Sequence, residues 1–463
     1  MKITSFINNQ ETITDSFFNK LNPFTNENFH QVFECSVLNL VHAIRDANKA
    51  HQEWQKSSFV ERKKLIEKIK ASIIQHQDEF ARLEAQDQGL PVSFIKRYSI
   101  DKIIDEINKV INEEIQIDDN QNVNSAYSVG VIAIISSWNL SLRIVLSSLF
   151  PALLAGNAVI VKISSASPVT AEILKRIILE SSVPSGLIQV IVSNSTEIKN
   201  LLITHPGVHA IRFTGSLNNS VQVIKQAAGV SENSFKKLQI GSGSKNISGC
   251  LEAPTAQNIQ AVLNSFLIGQ GQLAWNSSRL FVLEKYEKEW ITAIEDFFQK
   301  LKPSEGIEDE SSWGPCIKEK SVDFFSGLLK QAKNDQAKLI QADYKPNEKQ
   351  ARYLLPTFTR DMSKCSELQQ QQIFSPFFIL NTVKYPFDIA KNANLSYYGY
   401  AAHLYGGKNK LTKIADDLEV GAVTFNDWSI GLGSAIEGVK QSGFGIQDTR
   451  FFGAFYSNVK KLN

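Results

Sequence analysis

Thiols and one helix start are the groups in this chain whose types and spacing bear first on chemistry. Cys35, Cys250, Cys316 and Cys365 lie far apart, with no CxxC pair and no His/Cys cluster. That spacing argues against a disulfide framework and against a metal site, and reduced, buried thiols are the plain reading. A reactive thiol needs a positioned base and an electropositive niche, which weighs against any of the four as a nucleophile. Phe213-Thr214-Gly215-Ser216 closes an apolar strand and opens a helix. A helix start offers unpaired N–H groups and a positive dipole end to an anion. The same residues also serve a ligand-free half of a nucleotide-binding fold, with Gly215 as a simple turn, because fold alone does not license a ligand.

The elements that must carry these groups follow from periodicity. Val60, Leu65, Ile66, Ile69, Ile73, Ile74, Phe80 and Leu83 recur at helical spacing, as do Ile100, Ile103, Ile104, Ile107, Val110 and Ile111, so two long amphipathic helices are expected first. Alternating short elements follow, with strands expected over 131–136, 158–163, 188–192, 210–214 and 237–240. Between them, helices are expected over 143–155, 170–182, 197–205 and 221–228. This alternation predicts a parallel sheet covered on both faces, with ligands at the carboxyl ends of its strands. A second α/β set is expected over 243–423, a polar loop over 344–350 and an aromatic, alternating tail over 452–459.

At 463 residues the chain is long enough for two or three domains. It is 43% hydrophobic and 21% charged, an ordinary soluble composition. Lys+Arg (49) and Asp+Glu (47) leave a formal charge of +2, which gives no reason to expect nucleic acid or an anionic membrane as partner. No apolar run approaches the ~20 residues of a membrane span, and Met1-Lys2-Ile3-Thr4-Ser5 does not begin a signal peptide, so a cytoplasmic location is expected.

A series of short motifs runs through the chain. It includes Asn22-Pro23-Phe24-Thr25, Ser137-Trp138-Asn139, Pro151-Ala152-Leu153-Leu154-Ala155-Gly156-Asn157, Val161-Lys162, Val183-Pro184-Ser185-Gly186 and Phe213-Thr214-Gly215-Ser216. Further on come Gly271-Gln272-Leu273-Ala274-Trp275-Asn276-Ser277-Ser278-Arg279, Ile373-Phe374-Ser375-Pro376, Tyr398-Gly399-Tyr400-Ala401-Ala402 and Gly438-Val439-Lys440-Gln441-Ser442-Gly443-Phe444-Gly445. One such motif is weak. In this order and at this spacing they are strong, and the chain resembles the aldehyde dehydrogenase superfamily from about Asn22 to Leu462.

The resemblance implies an α/β fold of aldehyde dehydrogenase type. A Rossmann-type parallel-sheet cofactor domain would span 1–112 and 137–240, an α/β catalytic-type domain 241–442, and a small oligomerisation element 113–136 and 443–463. In this family such a tail crosses to a partner subunit, which implies a homo-oligomer, dimer or tetramer. The residues implied at the cofactor are Trp138, Lys162, Ser165, Gly215, Ser216, Gln372 and Phe374. Lys162 would reach the adenosine ribose and its phosphate, Gly215-Ser216 the pyrophosphate, and Phe374 the nicotinamide ribose. Ser165 stands where NAD-using members commonly carry a glutamate on the ribose hydroxyls, so it either favours NADP or marks a decaying site. Ser220 replaces a glycine at a close approach. Gln372 replaces a glutamate and forfeits charge assistance. NAD, NADP, and weak or absent binding all stay open.

Aldehyde oxidation in this family uses a thiolate nucleophile, a glutamate base and an asparagine amide at the oxyanion. Asn139 matches the asparagine. Ala274 occupies the nucleophile position and Gln239, within Leu238-Gln239-Ile240-Gly241-Ser242-Gly243, that of the base. A methyl group cannot attack a carbonyl, and an amide has no useful basicity. The resemblance therefore implies a pseudoenzyme, with a rate loss on the order of 10⁶, kept as a ligand- or partner-binding scaffold. Two other functions remain open: altered chemistry served by Ser277, Ser278 or a distant cysteine, and a structural subunit assembling with an active dehydrogenase relative. An engineered inactive mutant is a further explanation, opposed by drift at Ser137, Gly243, Ala435-Ile436-Glu437 and Ile446-Gln447. Trp275, beside the vacated position, either fills the substrate tunnel or packs sideways into the core.

Overall fold

Strands that are apolar on every residue need cover on both faces, and that requirement organises the amino-terminal half. The computed structural model describes residues 1–112, 123–229, 235–311, 313–347, 350–429, 438–445 and 455–461. In chain order the first half contains β1 (Ser5–Ile7), β2 (Gln10–Thr12), α1 (Val37–Trp54), α2 (Phe59–Gln75), α3 (Gln77–Gln88), α4 (Asp101–Asn112), β3 (Val123–Ser128) and β4 (Val131–Ile135). It continues through α5 (Ser141–Leu154), β5 (Ala158–Ile163), α6 (Val169–Glu180), β6 (Ile188–Val192), α7 (Thr196–Thr204), β7 (Ala210–Thr214), α8 (Leu217–Ala228) and β8 (Lys237–Gly241). Strands β8-β7-β4-β5-β6 form a parallel centre, with β1 and β2 antiparallel at one edge and Gly443–Phe444 antiparallel at the other. The strand order reverses between β4 and β7. Such a switch point opens a crevice at the carboxyl ends of the two strands, here the segments around Trp138-Asn139 and Gly215-Ser216.

The second half supplies β9 (Asn246–Cys250), α9 (Ala256–Leu267), β10 (Ser277–Leu283), α10 (Glu287–Lys300), α11 (Lys320–Asn334), β11 (Lys338–Gln341), β12 (Thr357–Arg360), β13 (Phe377–Val383), β14 (Ala401–Tyr405) and β15 (Ala422–Phe425). They make a seven-stranded sheet of order β11-β12-β13-β10-β9-β14-β15, parallel except for the β11–β12 pair. A separate ribbon pairs β3 with β16 (Ser457–Lys461). No helix among the described residues is long and apolar enough to cross a membrane.

The expected α/β architecture is the observed one, and the strands over 158–163, 188–192 and 210–214 fall at those residues. Helix α8 begins four residues before its expected start because Ser216 caps it, and the polar turn Leu217–Ser220 hides that start from a hydrophobic pattern. Three expectations are corrected. The first long helix is two, α2 and α3, broken at His76 where φ is −111°. The second is preceded by a π-helical turn, Lys96–Ile100. Helix α1, buried through Leu40, Ala43, Ile44 and Ala47, precedes both.

Two segments expected in the oligomerisation element lie in the eight-stranded sheet. Val131–Ile135, assigned to that element, is central in the eight-stranded sheet, because an all-apolar strand at 5% exposure or less belongs between two covered faces. Gly443–Phe444 likewise edges that sheet. Of the other residues expected in that element, 123–128 and 457–461 pair as the β3–β16 ribbon, while 113–122, 446–454 and the drifted Ala435-Ile436-Glu437 and Ile446-Gln447 lie outside the described residues.

Candidate functional site

The segment Gly271–Asn276 enters β10 and is held from three directions. Gly271 has φ 66°, and a Cβ there would lie 2.3 Å from the Ser375 carbonyl oxygen, so only glycine fits this approach. Asn246 Nδ2 donates to Ala274 O at 2.8 Å and to Asn276 O at 2.9 Å, while its Oδ1 accepts from Ala401 N at 2.9 Å. His403 Nε2 donates to Trp275 O at 3.0 Å, and burial lowers the His403 pKa to about 4, so the ring is neutral. Trp275 is 8% exposed and belongs with Leu273 to the main buried apolar cluster. Asn246 and His403 were not legible as loop holders, since each is a single polar residue on an otherwise ordinary strand.

Asn139 is brought to this loop. Its Nδ2 donates to Gln272 O at 3.1 Å, and its Oδ1 accepts from Ser137 Oγ at 2.7 Å. One of the two amide protons stays free for another acceptor. Ala274, partly exposed, presents a methyl group. Gln239 lies on β8 opposite Arg212, is 2% exposed, and its Oε1 accepts from the Tyr456 hydroxyl at 3.4 Å. Gly445 packs on its stem, a Cβ there falling 3.0 Å from Gln239 Cγ. Tyr456, more than two hundred residues away in the chain, is a neighbour that no local pattern could have announced.

Alternative nucleophiles fare no better. Burial pushes the Cys35 thiol up to about 12, that of Cys316 to about 11, and that of Cys250 well above its ordinary value. Cys365 is exposed. Ser277 Oγ sits 3.0 Å from Ser248 Oγ, which in turn sits 2.9 Å from Ser265 Oγ, a buried hydroxyl chain with no base in it. Among the described residues no group of three or more His, Cys, Asp or Glu is placed to hold a metal ion.

The expected cofactor residues gather along the carboxyl ends of β4, β5 and β7 and across to the second half. Trp138 and Phe374 meet edge to face at 6.1 Å, with Lys318 Nζ 5.7 Å from the Trp138 ring. Gln372 Nε2 is 3.5 Å from Ser244 Oγ. A Cβ on Gly243 would meet the Tyr398 ring at 2.7 Å and Gln372 Oε1 at 2.9 Å, so the ring and the amide leave no room for a side chain at 243. Gly215 differs from expectation: its N–H donates to Gly241 O at 3.0 Å and is not available to a phosphate. Ser216 caps α8, its Oγ accepting from Asn219 N at 3.5 Å, and Ser220 Oγ donates back to Ser216 O at 3.0 Å. The first-turn amides of Leu217 and Asn218 are the donors an anion would use.

At the other end, Lys162 Nζ donates to Ser193 O at 2.8 Å and Ile163 O at 3.3 Å, and burial lowers its pKa to about 8. Ser165 Oγ donates to Asn194 Oδ1 at 3.1 Å. Asn194 N donates to Glu34 Oε1 at 2.6 Å, and the Glu34 carboxylate partly offsets the loss of charge at Lys162. A carboxylate therefore stands beside this cluster although residue 165 is serine, brought there from the amino-terminal region.

Comparison with known proteins shows the family and the fold. The family model described as the aldehyde dehydrogenase family matches residues 9–462. The chain is 24% identical to 2-aminomuconic semialdehyde dehydrogenase of Bos taurus, over 100% of this chain and 98% of that protein. It superposes with a TM-score of 0.91 on an aldehyde dehydrogenase mutant from Bacillus cereus, at 22% identity, covering 99% of this chain and 96% of the other. With a betaine aldehyde dehydrogenase mutant from Staphylococcus aureus in complex with NAD+, the TM-score is 0.90 at 21% identity, again over 99% and 96%.

Proposed function

The chain belongs to the aldehyde dehydrogenase family, and from that premise we propose that it is a member without aldehyde oxidation, which keeps the scaffold and a dinucleotide-binding surface. One observation carries the reading. Ala274 and Gln239 occupy the places of nucleophile and base, while Asn139 still points its amide at the vacated loop. Among the described residues, Cys35, Cys250 and Cys316 are held as thiols by burial and offer no replacement nucleophile. The altered-chemistry alternative loses its Ser277 candidate to the buried hydroxyl chain.

The residues present fit the adenosine and phosphate end of NAD(P) better than its reacting end. Lys162 contributes a cation whose hydrogen-bond partners among the described residues are carbonyls, and the start of α8 contributes amide donors. Gln372 and Phe374 would flank the nicotinamide ribose. NAD(P) bound there would supply a hydride acceptor. The residues of this chain bind and orient it without forming an adduct that could yield a hydride. The β3–β16 ribbon and the outer strand β15 support assembly into a homo-oligomer by sheet extension.

Titration with NADH and NADPH, read as energy transfer from tryptophan to nicotinamide, tests the surface. NADH is expected to bind in the micromolar range and more tightly than NADPH, because the Glu34 carboxylate repels a 2′-phosphate. Glu34→Gln narrows the gap. Lys162 is protonated below its pKa of about 8 and neutral above it, so affinity falls as pH rises through that value. Lys162→Met is expected to flatten this dependence. No binding up to millimolar nucleotide refutes the cofactor reading and leaves a scaffold acting through its surfaces.

A further inference from the structure

Strands β4 and β7 are neighbours in register, with Ile135 opposite Phe213. The segments that leave them, 136–139 and 214–217, therefore face each other across the crevice where the strand order reverses. On one wall α8 begins, and the amides of Leu217 and Asn218 in its first turn have no partner within the helix. The Gly215 amide is committed to Gly241 O. The other wall is Trp138, and Lys318 Nζ lies 5.7 Å from its ring.

Lys318 belongs to the second half, two residues before α11, and its main chain is fixed. Its carbonyl accepts from Ser321 N at 3.1 Å and from Cys316 Sγ at 3.3 Å. The preceding Ile317 donates through its N–H to Gln272 Oε1 at 3.2 Å, and its carbonyl accepts from Arg352 Nη1 at 3.0 Å. Gln272 O in turn accepts from Asn139 Nδ2 at 3.1 Å. One glutamine thus joins the residue after Trp138 to the residue before Lys318, which holds the lysine at the crevice.

The ammonium itself makes no hydrogen bond and no ion pair among the described residues. Lys318 is exposed, yet enough protein surrounds the ammonium that desolvation lowers its pKa, and Lys320, of like sign, adds to the effect. A freely hydrated surface lysine keeps its ordinary pKa. A cation that has lost part of its water gains when an anion replaces it. Lys162 does not serve here, because it is bonded to two carbonyls past the end of β5. Amide donors on one wall and three free ammonium N–H groups on the other are complementary to two linked phosphates.

We propose that Lys318 is the diphosphate-binding cation of this crevice, taking phosphate oxygens that the first turn of α8 holds from the opposite side. Only the source of the diphosphate, a dinucleotide or free pyrophosphate, rests on the nucleotide reading above.

Inorganic pyrophosphate and NADH, each titrated into the full chain at neutral pH by calorimetry, separate the possibilities. Lys318→Met is expected to weaken both ligands roughly tenfold, the worth of one charge-assisted hydrogen bond. Lys318→Arg should keep most of the affinity, since it keeps the charge and the donors. Lys320→Met removes an exposed charge two residues away and should leave both affinities unchanged, which distinguishes a contact from a general positive field. Equal effects of Lys318→Met and Lys320→Met, or no effect of either, overturn the proposal. Pyrophosphate binding that depends on Lys318, without any binding of NADH, refutes the nucleotide reading and upholds the diphosphate site. NADH binding that is indifferent to Lys318→Met does the reverse, and a chain that binds neither refutes both. Both lysines are exposed, so unfolding does not enter the comparison.

Discussion

Under the proposed function, the double variant Ala274→Cys/Gln239→Glu is expected to acquire aldehyde oxidation or ester hydrolysis, while Ala274→Cys alone gives at most weak activity. The reasoning is local. Nucleophile loss in covalent enzymes costs on the order of 10⁶ in rate. A positioned base adds about 10²–10⁴. The loop that would carry the thiol is already held in place through Asn246 and His403, and Asn139 retains a free amide proton beside it. A glutamate at 239 would be buried next to the Tyr456 hydroxyl. Burial raises a carboxyl pKa, so the base is ionised only above that raised value and activity should climb with pH. Ester hydrolysis and NADH formation, followed from about pH 6 to about pH 9, give the profile. Silence from a well-folded double variant would mean that the pocket or the nucleotide surface has been lost along with the two side chains.

Lys20→Met is expected to be the most destabilising of the single changes considered, and its effect should depend on pH. Lys20 Nζ donates to Asp87 O at 3.0 Å and lies 3.9 Å from Asp87 Oδ1, with side chains 7% and 1% exposed. Burial pushes the Asp87 pKa up to about 7, and the Lys20 ammonium opposes that push. Removing one partner of a buried pair costs about 3–5 kcal/mol, because the other charge is left uncompensated. The folded pKa of Asp87 lies above its unfolded value, so the carboxyl favours the folded state when protonated, and that contribution is lost as pH rises through the folded pKa. The thermal-midpoint deficit of Lys20→Met should therefore be larger near pH ~8 than near pH ~5. Asp87→Asn in the same chain should recover part of it. Equal deficits at both pH values would sink this account.

Residues beside this buried pair on α3 reach the turn at Asn139. Asp87 Oδ2 accepts from Val169 N at the start of α6. Close by on α3, Gln88 Oε1 accepts from Leu140 N and Glu84 Oε1 from Leu142 N. These two bonds fix the turn that follows Asn139, in which Leu140 adopts φ 46°. Stability of the amino-terminal helices and placement of the Asn139 amide are therefore linked.

Much of this protein is settled by the sequence itself. All-apolar runs such as Val131–Ile135 and Ala158–Ile163 can be stable only as covered strands, and their alternation with helical periods leaves little choice of architecture. Ala274 and Gln239 are facts of composition at readable positions, since no packing can turn a methyl group into a nucleophile. Tertiary structure decided the rest. It committed the Gly215 amide to Gly241 and brought Glu34 to the Lys162 cluster. It also set Tyr456 on Gln239 and the Lys318 ammonium against the Trp138 ring. Each of these depends on partners far apart in the chain. Periodicity reports which face a residue shows to the core, and only packing determines which residue it meets there.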